Sequence, residues 1–468
     1  MAVYECTVCG NRYDEEKEGV SWADLADNWV CPVCESKKSY FQPIAAESVL
    51  ASPKTAEDAT DTYLSQWARD RDSFEGHMED IHTIAVTGES IIEPMRSQKP
   101  VISWDDILIK GAQLAKVPLN KDESVTTQTV IGSKAKQPLI IETPLYVTHM
   151  SFGALSREAK IALARGSAAV HTATCSGEGG ILKEAKDFSY KYILEYVPNQ
   201  YSITDENLKN ADAIEIKIGQ SSKPGMGGHL PGKKVTKEVA EVRGFPEGED
   251  IISPAHFEDI LNKEDLKKKV SWLREKSEGR PIGVKIAAGN IEADLEYVVY
   301  AQPDFITVDG RAGATGAAPK FVKQATSIPT IFSLYRARKF LDNTKCEGIS
   351  LLITGGFRVS ADFIKALALG ADAVALGTSA LIALGCQQYR SCNTGKCPVG
   401  ITTQDPELRS RFNIDHSSER LENFLRVSSD ELKDFARLTG NDDVHKLSIA
   451  DLCTTNSELS EHTDIEHV

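Results

Sequence analysis

The chain has 468 residues, 41% of them hydrophobic, enough to bury one large core plus a small appendage and too apolar for a disordered segment. Its formal net charge of −15, with no basic stripe to neutralise phosphates, excludes a nucleic-acid partner. No run of about 18 consecutive apolar residues occurs, and MAVYECTVCG lacks the charged and apolar regions of a signal peptide, so the chain reads as cytoplasmic, with no membrane partner.

Seven of the ten cysteines fall in two tight clusters with metal-type spacing, while Cys175, Cys346 and Cys453 are scattered, a usage that fits a reducing compartment better than a disulfide framework. At the front, Cys6-x-x-Cys9-Gly10 is answered by Cys31-Pro32-x-Cys34, two knuckles of the kind that wrap a tetrahedral four-thiolate metal. Tyr13, Trp22, Trp29 and Phe41 supply aromatic packing to a segment too short for an ordinary core. The phrases CTVCGNRYD, WADLADNWVCPVC and SYF resemble rubredoxin with a shortened loop between the knuckles. That resemblance implies one iron held by Cys6, Cys9, Cys31 and Cys34 in a domain over residues 1–43. Thiolate geometry alone does not choose the metal, so a structural zinc ribbon stays open.

Residues 44–62 are rich in Ala, Ser and Asp without apolar periodicity and are expected to be a linker. Over 63–142 helical patches are expected at TYLSQWARD and SWDDILIKGAQLA, in an adaptor region that wraps the main domain. From 143 to 417, eight short apolar runs alternate with helical stretches: LYVTHM, AVHTAT, AIEIKI, IGVKIA, DFITVD, TIFSL, ISLLIT and DAVALG. Strands buried on both sides and each followed by a helix predict an α/β fold, a parallel (β/α)8 TIM barrel, whose functional loops follow the C-terminal strand ends. An open doubly wound sheet would carry one Gly-rich fingerprint after its first strand, whereas here Gly-rich turns follow several strands. Gly355, Gly356, Gly377 and Thr378 follow strands seven and eight, where barrels build phosphate sites, so a phosphate-bearing cofactor is expected. Lys285, in the fourth run, points into the barrel mouth if strand alternation holds. There it would face the edge of such a cofactor where negative charge develops on reduction, or pair with a carboxylate.

Cys386, Cys392 and Cys397 lie in GCQQYRSCNTGKCPVG, a tight loop of soft ligands over 386–397 that suits an iron–sulfur cluster better than zinc, which wants a fourth ligand. Beyond it, residues 418–468 are expected to form an acidic helical tail.

Several stretches together resemble the FMN-binding domain of glutamate synthase: SFGALSREA, SGEGG, EIKIGQSSKPGMGGHLPGKKV, ISPAHFEDI, DGRAGATGAAP, GGFRVSADFIKALALGADAVALGTSALIALGC and CPVGITTQDPELRSRF. The resemblance implies that Cys386, Cys392 and Cys397 bind a 3Fe-4S cluster beside FMN. It also implies that reduced FMN converts 2-iminoglutarate, formed from 2-oxoglutarate and ammonia, into glutamate. Glu178 matches the acid of the family's Thr-Gly-Glu-Gly-Gly motif, with Ser176 in place of Thr, and would deliver or steer a proton. Lys223 and Arg243 match positions that hold the oxo acid, with Lys217 a cation nearby, and Ser151 and Gln220 match positions at the flavin. Met226 and His229 stand where the family has Glu and Gln, which bears on substrate choice, His229 flanking the substrate motif as a hydrogen-bond donor.

Full-length members of the family open with a cysteine-nucleophile glutaminase domain, whereas Cys6 here belongs to a metal knuckle. Ammonia is therefore expected from solution or a separate glutaminase subunit. Sequence offers no dinucleotide fingerprint, so the expected electron donor is reduced ferredoxin or a reductase subunit, feeding the front iron, then the cluster and FMN. An oligomer is expected. Two rivals remain at this level: an N-methylglutamate synthase-type subunit that uses methylamine, and an electron-transfer or redox-sensing subunit without substrate chemistry.

Overall fold

The computed structural model describes residues 2–8, 11–26, 28–34, 36–44, 72–316 and 318–468. Cys9, linker residues 45–62 and the whole of TYLSQWARD lie outside them.

In the front module, strands Arg12–Asp14, Val3–Cys6 and Phe41–Ile44 form an antiparallel sheet in that order, with Tyr4 opposite Tyr13 and Cys6 opposite Phe41. So small a sheet cannot enclose a core, and aromatic rings substitute for one. Trp22 stacks on Tyr4 at 4.3 Å between centroids and meets Trp29 edge-on at 5.4 Å, with Cys6, Cys31 and Cys34 buried beside them.

The main body is an eight-stranded parallel, nearly closed barrel of β1 Leu145–Val147, β2 Ala173–Cys175, β3 Lys191–Tyr196, β4 Ala213–Lys217, β5 Ile282–Ala287, β6 Phe305–Asp309, β7 Ser350–Thr354 and β8 Ala373–Leu376. Ladders join β2 through β8 in sequence and β8 to β1. At the β1–β2 seam the Thr172 hydroxyl donates to the Leu145 carbonyl at 2.5 Å.

Seven of the eight expected runs overlap these strands and one does not. TIFSL opens the helix Thr330–Asn343, because Pro329 precedes it and Ile331, Leu334, Ala337 and Leu341 bury one helical face. The missing strand is β3, whose sequence KYILEY carries a lysine and a glutamate and so does not read as an apolar run, although Glu195 is buried inside the barrel. Lys285 accordingly lies on the fifth strand, while Gly355 and Gly377 keep their places after the seventh and eighth.

Ile131, Leu139 and Ile141 of the hairpin Thr129–Ile131/Leu139–Ile141 pack against Tyr146, Ile193, Phe305 and Leu352 and floor the barrel. The segment SWDDILIKGAQLA is not helical. Trp104–Asp106 makes one turn closed by a Ser103/Asp106 capping box, and Ile107–Ile109 continues as a strand antiparallel to Leu452–Thr454, its Ile107 buried and Leu108 half exposed in a period of two. The helix Ile414–Leu438 packs against Arg157–Ala169, and the chain then ends in strands Leu452–Thr454 and Glu466–His467 around the short helix Ser457–His462, not in a continuous helical tail. No helix among the described residues is long and apolar enough to cross a membrane.

Candidate active site

The C-terminal ends of the strands open into a cavity of about 460 Å³, within the size range of cofactor and substrate sites. Its lining brings together Ser151 after β1, Glu178 after β2, Lys217 at the end of β4, and Gln220, Lys223, His229 and Arg243 from the long connection that follows. Lys285, Gly355, Gly356, Gly377 and Thr378 complete the set, so every sequence-derived site residue of the barrel other than Cys386 and Cys397 borders one space. Met226 is not on that lining and is half exposed.

Four charged side chains meet on one wall. Lys217 Nζ donates to Glu178 Oε2, and Lys223 and Arg243 are buried nearby. Burial opposes the charge on Glu178, but Lys217, the Ser253 hydroxyl and Lys223 outweigh it and hold its pKa at about 2. It is therefore an anion at neutral pH, able to steer a cationic group but not to donate a proton. Lys223 has its pKa lowered to about 8 by burial and by Lys217, against the pull of Glu178. Its Nζ is held 2.6 Å from the Gly227 carbonyl. Arg243 donates from Nη2 to the Phe152 carbonyl at 2.7 Å, and its buried Nε has no hydrogen-bond partner among the described residues. His229 sits at the rim, half exposed, 2.8 Å from Asp250.

On the opposite wall Gly355 and Gly356 have φ of 128° and 84°, values that suit glycine alone, and a Cβ on Gly356 would lie 2.6 Å from that of Ala312. The helix Thr378–Leu384 begins beside them, with the Ser379 hydroxyl of its first turn buried and without a hydrogen-bond partner among the described residues. These features fit the phosphate of a bound nucleotide.

The floor of the cavity holds a network around Lys285 whose other members sequence reading missed. Lys285 Nζ is 3.7 Å from Glu195 and 3.9 Å from Asp309, so the carboxylate pairing is what the fold realises at this lysine, which still lines the cavity. Burial opposes its charge, but Glu195, Asp309 and Glu215 keep it protonated. Burial in turn raises Asp309 to a pKa of about 6 against the pull of Lys285. His149 accepts from the Gly177 N–H at Nδ1 (3.2 Å), which leaves Nε2 to donate to Glu215 at 3.0 Å. Lys160 donates to the carbonyls of Met150, Cys175 and Ser176 at 2.8–2.9 Å, tying the loops after β1 and β2 together. His149 and Lys160 sit in no recognisable motif, and for Glu195, Glu215 and Asp309 the only signal was a charge inside an otherwise apolar strand.

Cys386, Cys392 and Cys397 line a second, small cavity, and Cys392, with Met95, Leu381 and Thr402, borders the main one as well. In the front module the thiols of Cys6, Cys31 and Cys34 lie within 4.8 Å of one another, Cys6 and Cys34 being 3.7 Å apart, a donor set suited to a tetrahedral thiophilic metal.

Comparison with known proteins matches residues 77–442 to a family profile described as a conserved region in glutamate synthase, and residues 3–41 to rubredoxin. The archaeal-type glutamate synthase (NADPH) of Thermotoga maritima is 35% identical over 456 residues, covering 92% of this chain and 86% of the relative. The archaeal glutamate synthase (NADPH) of Archaeoglobus fulgidus is 37% identical over 398 residues, 79% of this chain and 76% of its own. A glutamate synthase large subunit-like protein of Rhizobium meliloti is 36% identical over 401 residues, 81% and 91% of the two chains. Among solved structures, a mandelate oxidase superposes with a TM-score of 0.46 at 18% identity over 73% of this chain and 84% of its own, too slight a likeness to bear on function.

Proposed function

The chain belongs to the glutamate synthase family, as an oxidoreductase of that type, and on that premise we propose that it reduces 2-iminoglutarate, formed from 2-oxoglutarate and ammonia, to glutamate with FMN in the barrel mouth. The observation that carries this reading is the convergence of Glu178, Lys217, Lys223 and Arg243 on a cavity whose far wall is a glycine turn and a helix start.

Bound FMN would supply a hydride equivalent, accumulated from one-electron donors. Lys223 and the unpartnered Nε of Arg243 supply cations for the two carboxylates of the oxo acid. Glu178, held ionised by Lys217, attracts the positively charged imine and turns its carbon toward the ring. Lys285 keeps a positive charge at the cavity floor, which would stabilise the electron density that bound FMN gains on reduction. Gly355, Gly356, Gly377, Thr378 and Ser379 would hold the phosphate. Cys386, Cys392 and Cys397 would hold a 3Fe-4S cluster against the same cavity, and Cys6, Cys31 and Cys34, with Cys9, a rubredoxin-type iron. Zinc would fit the front thiols sterically but would carry no electron.

The donor named for these relatives is NADPH, and this sequence lacks a dinucleotide fingerprint, so electrons are expected through a separate reductase subunit or a ferredoxin. Anaerobic reconstitution followed by metal, sulfide and flavin analysis tests the assignment. Dithionite-reduced protein should be reoxidised by 2-oxoglutarate plus ammonia. Reoxidation by methylamine and not ammonia would move the chain to the N-methylglutamate branch. Protein without flavin absorbance would end the proposal.

A further inference from the structure

We propose that Tyr389 and Arg411 are positioning residues that lock the front thiolate module onto the late-cysteine loop, so that electrons pass between the two metal sites within one chain. The inference rests on the functional reading above, in which both sites hold iron.

Arg411 touches the immediate neighbourhood of both sites with one guanidinium. Its Nη1 lies 3.0 Å from the Cys34 carbonyl, 3.3 Å from the Ser36 hydroxyl and 3.4 Å from the carbonyl of Pro398, the residue after Cys397. Tyr389, between Cys386 and Cys392, packs against the apolar cluster that contains Cys6, Cys31 and Cys34, and its hydroxyl reaches the Val33 carbonyl at 3.4 Å.

The loop is shaped to present that ring. Gln388 and Arg390, on either side of it, adopt φ of 59° and 56°, left-handed values that non-glycine residues keep only where their surroundings determine them. Gln388 is tied to Cys386 Sγ through its backbone N–H at 3.5 Å and its amide at 3.3 Å. Arg390 donates to the carbonyls of Pro94 and Arg96 at 3.2 and 3.3 Å. Gln388 is thus tied back to its own loop and Arg390 to the segment before the barrel, and Tyr389 between them meets the front module. Two outer contacts keep the register: Tyr40 donates to Asp405 at 3.2 Å, and Lys37 pairs with Glu407 at 3.1 Å.

In each transfer the front iron goes from ferrous to ferric and the late site gains that one electron. Two such events, fed by a one-electron donor protein, match the hydride equivalent that one imine consumes. Tunnelling rates fall steeply with separation, so a module that swings free would stall this exchange even with both metals intact.

Arg411→Ala, Arg411→Lys and Tyr389→Ala, made in the full-length reconstituted chain, test the proposal. A flash-generated deazaflavin radical would reduce the front iron, and recovery of its visible band would report transfer onward. A charged hydrogen bond such as that of Arg411 to the Cys34 carbonyl is worth roughly tenfold in docking, so Arg411→Ala, which loses it and two weaker contacts, should slow transfer by at least about tenfold, with Arg411→Lys restoring part of it. The front iron spectrum and content should stay unchanged, and hydrogen exchange should rise at residues 33–38 and 386–398. Unchanged transfer and exchange in both alanine variants would overturn the proposal alone. Parent protein with no front iron chromophore would overturn it together with the functional reading.

Discussion

The pairing of Glu178 with Lys217 can be tested as an energy. The Glu178 side chain is 13% exposed, and its pKa falls from the ordinary 4.5 to about 2. At about 1.4 kcal/mol per unit, the ionised form is favoured in the fold by about 3 kcal/mol. Because the folded pKa is depressed, this stability is fully present above pH 4.5 and is lost as pH falls toward about 2. A double-mutant cycle of Glu178→Gln and Lys217→Met, followed by denaturant unfolding at neutral pH, should therefore return a coupling of about 2–3 kcal/mol. Each single variant should cost more than the double, since each strands one buried charge. Additive singles, with no coupling, would refute both the pair and the argument that Glu178 acts as an anion. The parent should also lose more stability than Glu178→Gln when pH is lowered from 4.5 toward 2.

Three further outcomes are expected. Lys285→Met removes the cation that Glu195, Asp309 and Glu215 surround, so unfolding midpoints should show a loss of about 3–5 kcal/mol and flavin content should fall. Lys223 loses its proton as pH rises through about 8, so the apparent KM for 2-oxoglutarate should climb above that pH, while Lys223→Arg, charged throughout, should show no inflection. Gly283→Ala places a Cβ 2.1 Å from the Phe305 ring inside the barrel. The overpacking should cost about 1–3 kcal/mol in denaturant unfolding without touching the cavity.

The barrel was legible because its strands are continuous apolar runs and its glycines follow their ends. The exception shows the physics of the limit. TIFSL and KYILEY are both short, and the first looks more strand-like, yet Pro329 and the spacing of Ile331, Leu334 and Ala337 commit it to a helix. KYILEY is a strand whose Glu195 is buried opposite Lys285, a compensation that only tertiary structure supplies. The wall residues Glu178, Lys223 and Arg243 were readable because they lie in motif-bearing loops. His149, Glu215 and Asp309 were not, because single polar residues in or just after strands carry no spacing signature. In SWDDILIKGAQLA the apolar spacing suggested a helix, but a partner strand hundreds of residues away, Leu452–Thr454, recruited Ile107–Ile109 into a sheet.

The hairpin of Ile131, Leu139 and Ile141 has a consequence for traffic. A barrel stoppered at one pole has its doorway at the other, so in the proposed reaction oxo acid, amine and product would all come and go on the side where the late cysteines stand. Under that proposal fuel and cargo would share the entrance, and a reductase docking there would have to leave a gap wide enough for a five-carbon acid to slip past.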